Sequence, residues 1–453
     1  MSDSSKTVRM ISLGCPKNLV DSEVMLGLLK EKGWRPSPTD DAQVVIVNTC
    51  GFIREAKEES IETILAQAAA KEEGRVQKLV VTGCLPQRYG RELLRELPEV
   101  DLFVGTGEFH RIANLLDRSA RARLPRKQWI NTPEFLYNHR SPRIHTSPPG
   151  SMYLKVSEGC ANFCSYCVIP RIRGRLRSRP ISSILKEAAQ AASRGVKEIN
   201  LIAQDTTAYG KDRKDGSSLV RLLKGLAKVE GIRWIRLLYA HPAHLTEELV
   251  HFIRDEERVC KYLDLPIQHV DEGILKAMNR PLSKRRMPDL IDWIRREVPG
   301  IILRTSLIVG FPGETDQVFR RLLEFVREAQ FDRLGVFSYS PEEGTPAAAM
   351  KGQVPDRIKL SRSRQIMRLQ KRISLKKQKA WVGSRVPVLV ERPGGSPDIQ
   401  WEGRTQGQAP EVDGVTFLTK GRARAGEMVE VRILDAEPYD LFGEIITSTE
   451  QKA

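Results

Sequence analysis

The chain has 453 residues, 40% of them hydrophobic, and a formal net charge of +16. That length suggests roughly three domains with real cores, and a basic balance suggests an anionic partner such as RNA. The start, MSDSSKTVRMISL, lacks the basic-then-apolar pattern of a signal peptide, and no stretch approaches the ~18 to 20 apolar residues of a membrane span. A cytosolic (cytoplasmic) location is therefore expected, with the seven cysteines reduced and used for metal binding or catalysis.

Up to about Asp117, apolar runs alternate with helical patterns. Residues 8–13 (VRMISL), 42–47 (AQVVIV), 78–81 (KLVV) and 101–104 (DLFV) read as buried strands. Between two of them, residues 54–74 place Ile61, Ile64, Leu65 and Ala68 at helical spacing before Gly74. This predicts an α/β domain with a parallel sheet. The Pro- and Arg-rich stretch 121–150 reads as a linker with little structure of its own.

From about 150 to 345, strand then helix repeats six times, with strands at 152–156, 198–203, 233–238, 262–266, 302–310 and 333–340. Six such units predict a partial (βα)6 barrel, with its active site at the carboxyl ends of the strands. A basic helix follows, with Ile366, Leu369 and Ile373 as its apolar stripe. Five short strands with Gly-rich turns then predict a small OB-like β-barrel.

Cys160, Cys164 and Cys167 crowd into eight residues just after the first barrel strand. A four-iron, four-sulfur cluster takes four thiolates, so three leave one iron open to bind something else. A structural zinc would need a fourth ligand; the loop holds none, although His139 or His145 could fold back. A chance surface cluster is the bland alternative. Cys15, Cys50 and Cys84 each end an apolar run, at separations of 35 and 34 residues. Consecutive strand ends of a parallel sheet lie on one edge, where ligands bind, so these three are expected to converge on a second iron–sulfur site. Cys260 matches neither set and reads as a core cysteine.

The Cys-x3-Cys-x2-Cys loop on a βα barrel resembles the radical S-adenosylmethionine enzymes, in which the cofactor chelates the open iron and yields a 5′-deoxyadenosyl radical. The segment RTSLIVGFPGET resembles that family's glycine-rich strand beside the adenosine. Both cysteine triads with the small barrel resemble the methylthiotransferases, over nearly the whole chain. The resemblance implies a methylthiotransferase N-terminal domain at 6–118, a linker at 119–145, a radical SAM core at 146–376 and a TRAM domain at 378–447. It implies two [4Fe-4S] clusters, one on Cys15, Cys50 and Cys84 and the other on Cys160, Cys164 and Cys167, and S-adenosyl-L-methionine as radical source and methyl donor. Gln204 and Asp205, after the second barrel strand, and Gly310, in the glycine-rich strand, are candidate contacts to S-adenosylmethionine.

Two branches of that family compete. The MiaB-like branch modifies an adenosine of transfer RNA; the RimO-like branch modifies an aspartate of a small-subunit ribosomal protein at the decoding centre. SLGCPKNLVDSE, LIAQDTTAYG, YLDLPIQH and FDRLGVFSYSPEEGTPAA resemble the RimO-like branch. From Trp381 to Ala453 there are eight Lys or Arg and twelve Asp or Glu, a balance of −4. Such a barrel repels phosphates and suits a basic ribosomal protein, free or on the ribosome. A solvated acidic surface is the bland reading. The resemblance also implies an electron donor and a sulfur source. Arg171, Arg173, Arg175, Arg177 and Arg179 alternate, so an extended chain would set them on one side, to meet RNA, a carboxylate or water. Outside the enzyme class, an iron–sulfur electron carrier is the rival, though it would need neither an open iron nor a barrel.

Overall fold

The computed structural model describes residues 6–39, 42–120 and 127–446. The chain divides into two compact units.

The first unit comprises the chain up to Thr146 together with Ser157–Arg179 and Ser340–Ala348. Its sheet uses β1 (Thr7–Ser12), β2 (Arg35–Pro36), β3 (Val44–Thr49), β4 (Lys78–Gly83), β5 (Leu102–Gly105) and β6 (Gln128–Trp129). The order is β2-β1-β3-β4-β5-β6 and every pairing is parallel. The four expected strands are β1, β3, β4 and β5. The short edge strand β6 falls inside the stretch read as linker, residues 121–126 of which lie outside the described residues. Helices α1 (Pro16–Glu31), α2 (Arg54–Glu72) and α3 (Cys84–Glu96) follow β1, β3 and β4. Ile64 and Ala68 of α2 are buried, but Leu65 is 50% exposed. One residue further round the helix, Leu65 leaves the stripe that meets the sheet.

Within Ser157–Arg179, a short antiparallel pair, β8 (Ser157–Glu158) with β9 (Arg177–Ser178), closes the cysteine loop. The arginines do not form an extended row. Ile169–Arg173 is helical, with Pro170 in the first turn where its ring favours helix. Arg173 and Arg179 are buried while Arg171 and Arg175 are exposed.

The second unit carries six parallel strands: β7 (Ser151–Lys155), β10 (Glu198–Ile202), β11 (Trp234–Leu237), β12 (Val259–Asp264), β13 (Ile302–Val309) and β14 (Arg333–Ser338). Their order, β14-β13-β12-β11-β10-β7, is that of an open partial barrel, as expected. Leu201, Ile235, Leu263, Leu303 and Leu307 anchor its core, and the helix Asp356–Lys379 adds Ile366 and Ile373, with Leu369 half-buried. Cys260 is wholly buried on β12.

β15 (Arg385–Ser396), β16 (Ile399–Thr405), β17 (Thr416–Lys420), β18 (Met428–Ala436) and β19 (Leu441–Ile445) form a closed five-stranded barrel. It meets the amino ends of the parallel strands: Gly407 faces Ile302, the first residue of β13, and Arg404 bonds Glu198, the first residue of β10. The carboxyl ends of the strands are thus on the opposite side from this barrel.

Candidate iron–sulfur and cofactor site

Cys15, Cys50 and Cys84 stand just beyond three neighbouring strands. The register aligns Ser12 with Asn48 and Thr49 with Gly83, so the three chains leave the sheet at one level. Their turns touch. A Cβ on Gly14, whose φ is +84°, would lie 2.7 Å from Cys50 Cβ, and one on Gly51 would lie 2.9 Å from the backbone of Leu85. Glycine at these two positions lets the cysteine turns approach one another.

Polar side chains hold the turns in place. Asn18 Nδ2 donates to Leu13 O at 3.1 Å and Thr49 O at 2.9 Å. Asn48 Nδ2 donates to Asn18 O at 2.8 Å. Arg173, from the second cysteine loop, enters the same place. Nη1 donates to Asp21 Oδ2 at 2.6 Å, and Nη2 donates to Asn18 Oδ1 and lies 3.6 Å from Cys84 Sγ.

The three thiols differ in their electrostatics. Burial and the neighbouring Cys84 and Cys15 push the Cys50 thiol up to about 12. Burial also raises Cys84, against the pull of Arg173. Burial opposes ionisation of Cys15, but Lys17, Arg173 and nearby backbone N–H groups outweigh it and lower the pKa. Three thiols this close resist ionising together unless a cation gathers them, and a metal deprotonates its thiol ligands outright. All seven cysteines are thiols rather than disulfides.

Cys160, Cys164 and Cys167 belong to the same compact unit as the first triad. The Cys160 N–H donates to Gly174 O at 3.1 Å, the Cys167 N–H to Cys164 O at 3.0 Å, and the Asn162 N–H to Cys160 Sγ at 3.3 Å. Val168 and Ile172 pack against Cys84 and Phe52, joining the two loops through apolar contact. The segment Ser340–Ala348 braces both. The Ala347 N–H donates to Ser165 O at 2.9 Å. Glu342 accepts from Lys57 and Arg88, each at 2.7 Å, and Arg88 also donates to Gly51 O at 3.0 Å. Among the described residues, no three His, Cys, Asp or Glu side chains are grouped to hold a single metal ion. Three thiols per set are the donor complement of a cluster with one open iron.

In the second unit, Gln204 and Asp205 follow β10, and Gly310 follows β13, at carboxyl ends of the strands. Asp205 Oδ2 pairs with His244 Nδ1 at 2.7 Å, and Oδ1 accepts from Thr207 at 2.6 Å. Burial would raise this carboxyl, but the bonds from His244 and Thr207 hold it down at about 2. Gly310 has φ +74° and donates its N–H to Glu314 Oε2 at 2.7 Å. Burial, with Arg280 nearby, keeps His241 neutral with a pKa of about 3. Its Nδ1 accepts from the Ala243 N–H at 3.2 Å.

Sequence reasoning missed Asn18, Asp21 and Glu342 and did not single out Arg173. Asn18 and Asp21 follow Cys15 by three and six residues, a helical spacing that could have flagged them.

This arrangement defines the class: a radical S-adenosylmethionine protein with an added N-terminal thiol site. The radical SAM superfamily matches residues 154–326, uncharacterized protein family UPF0004 matches 7–105 and the TRAM domain matches 382–446. The chain belongs to the family of the ribosomal protein uS12 methylthiotransferases RimO. It is 52% identical to the RimO of Geotalea uraniireducens over 98% of this chain and 100% of the relative. It is 50% identical to that of Geobacter sulfurreducens over 99% and 100%. Among solved structures, the radical S-adenosylmethionine methyltransferase TsrM from Kitasatospora setae superposes with a TM-score of 0.55 at 14% identity, covering 80% of this chain and 85% of that one. The radical enzyme OxsB gives 0.53 at 12% identity, over 81% and 56%. Both likenesses concern the fold.

Proposed function

We propose that this chain is a radical S-adenosylmethionine methylthiotransferase that places a methylthio group on the β-carbon of an aspartate in ribosomal protein uS12. The observation that carries the reading is the pair of three-thiol sets in one compact unit, one at three adjacent strand ends and one in a tight loop. Cys15, Cys50 and Cys84 would hold one [4Fe-4S] cluster and Cys160, Cys164 and Cys167 the other. When bound, the clusters and S-adenosylmethionine supply the electron, hydrogen-abstraction and methyl-transfer chemistry.

The chain's own residues bind and orient. Asn18 and Asn48 fix the cysteine turns, and Glu342 clamps α2 and α3 through Lys57 and Arg88. We assign Gln204, Asp205 and Gly310 to the cofactor side of the barrel mouth. We assign the domains as 6–118, 146–376 and 378–447, with 119–145 as the linker.

The acidic C-terminal barrel suits a basic protein substrate better than transfer RNA. A cytoplasmic setting, with an electron donor and a sulfur source, accords with this chemistry. No described helix is long and apolar enough to cross a membrane.

Mass spectrometry of ribosomal proteins from cells with and without the chain tests the proposal. The expected result is a gain of about 46 Da on one aspartate of uS12, from replacing H by SCH3. A modified transfer RNA adenosine with unmodified uS12 would transfer the chain to the other branch. Absence of 5′-deoxyadenosine above background from reduced, reconstituted protein would remove the enzyme reading altogether.

A further inference from the structure

Arg173 belongs by sequence to the loop of the second triad, yet its side chain is directed at the first. It is 2% exposed. Nη1 donates to Asp21 at 2.6 Å and lies 3.5 Å from both oxygens of Glu158. Those two carboxylates would satisfy a purely structural ion pair. They do not explain Nη2, which donates to Asn18 Oδ1 and stands 3.6 Å from Cys84 Sγ. Asn18 in turn holds the carbonyls of Leu13 and Thr49, just before Cys15 and Cys50. One guanidinium therefore reaches all three cysteine turns, directly at Cys84 and through Asn18 at the other two.

Taking the first triad as a cluster site, we infer that Arg173 is its positioning residue, setting the reduction potential of that cluster from within the loop of the other. The electrostatics give the sign. Reduction adds negative charge, so a fixed cation beside the thiolates, donating toward sulfur, favours the reduced form. Asp21 opposes this from the same place. Removing Arg173 would take away the cation that lies beside Asp21, Glu158 and Cys84 Sγ, and burial leaves that change in field little screened. The single side chain thus couples the loop of one cluster to the electronics of the other.

The test uses the full chain in a Cys160→Ala/Cys164→Ala/Cys167→Ala background, so that one cluster is observed. Iron content and the potential by electron paramagnetic resonance titration are the readouts. Arg173→Met should lower the reduction equilibrium constant at least tenfold, about 59 mV for a one-electron couple, and Arg173→Lys less. Asp21→Asn, which removes the opposing charge, should raise it. Opposite signs distinguish charge control from loosening, which would move both variants alike. Should Arg173→Met fail to fold, Arg173→Lys and Asp21→Asn decide. Normal iron with an unmoved potential in both arginine variants, or a shift of one sign in arginine and aspartate variants together, would overturn the inference. A background holding no iron would instead sink the cluster reading of the first triad, and this inference with it.

Discussion

Arg404 of the C-terminal barrel closes on Glu198 of the parallel sheet at 2.6 Å, and both side chains are almost wholly buried. Arg236 holds the same carboxylate at 2.9 Å, and Glu391 pairs with Arg404 at 2.6 Å. The two guanidiniums hold Glu198 far below the usual carboxylate range despite its burial. Glu198→Ala would leave two buried cations short of a partner. The expected loss is about 3–5 kcal/mol, read by denaturant unfolding. A loss below about 1 kcal/mol, the size of an ordinary substitution, would show that this contact does not hold the barrel to the sheet.

The two triads make separable predictions. Thiolate sulfur has no conservative replacement at iron, so a triple Ala variant of either set should lose about half the iron. The Cys160, Cys164 and Cys167 variant should also lose cofactor cleavage, while the Cys15, Cys50 and Cys84 variant should keep cleavage and lose sulfur insertion. Iron analysis and 5′-deoxyadenosine assay check both, and full iron in either variant would refute its assignment.

His269 predicts a pH dependence of stability. Burial, reinforced by Arg321 and Arg362 against Asp271, lowers it to about 4. An unfolded histidine titrates near ~6.5. Between those values the unfolded chain binds a proton that the native chain refuses. Its contribution is complete above the unfolded value and is lost as pH falls to about 4, by at most ~3 kcal/mol. His269→Asn keeps an acceptor for the Asp271 N–H, now received by Nδ1 at 2.9 Å. Denaturation at pH 7 and pH 4.5 should show a smaller acid loss in that variant; equal losses would contradict the assignment.

The acidic barrel offers a test by charge reversal, with one restriction that the fold imposes. Asp413 is not a surface charge: it accepts from Tyr262 at 2.7 Å, lies 3.7 Å from Arg304 and has a side chain 1% exposed. Glu411 and Glu430 are exposed. Changing these two to Lys should slow capture of a basic ribosomal protein roughly 10-fold at low salt and less at high salt. Uncoupled cofactor cleavage should persist. Unchanged rates on the protein, with a gain on transfer RNA, would count against uS12 as substrate.

Much of the architecture was legible in the chain. Strand runs such as AQVVIV declare themselves because a strand buried on both faces is a nearly continuous apolar run, as Val44–Val47 of β3 is. Cysteines at one phase of successive strand–helix units must share a sheet edge, so the convergence of Cys15, Cys50 and Cys84 follows from topology alone. What the sequence could not determine depends on contacts between distant segments. Nothing in the alternation of Arg171 to Arg179 says that Arg173 turns inward to Asp21, 152 residues earlier. The charge count from Trp381 to Ala453 includes Asp413, whose side chain the fold buries, because a count has no inside. Glu342 and Lys57, 285 residues apart, carry no local pattern at all. Periodicity records which face of an element is apolar; only the tertiary structure decides which buried charge meets which partner, since that pairing is set by the distances the fold creates.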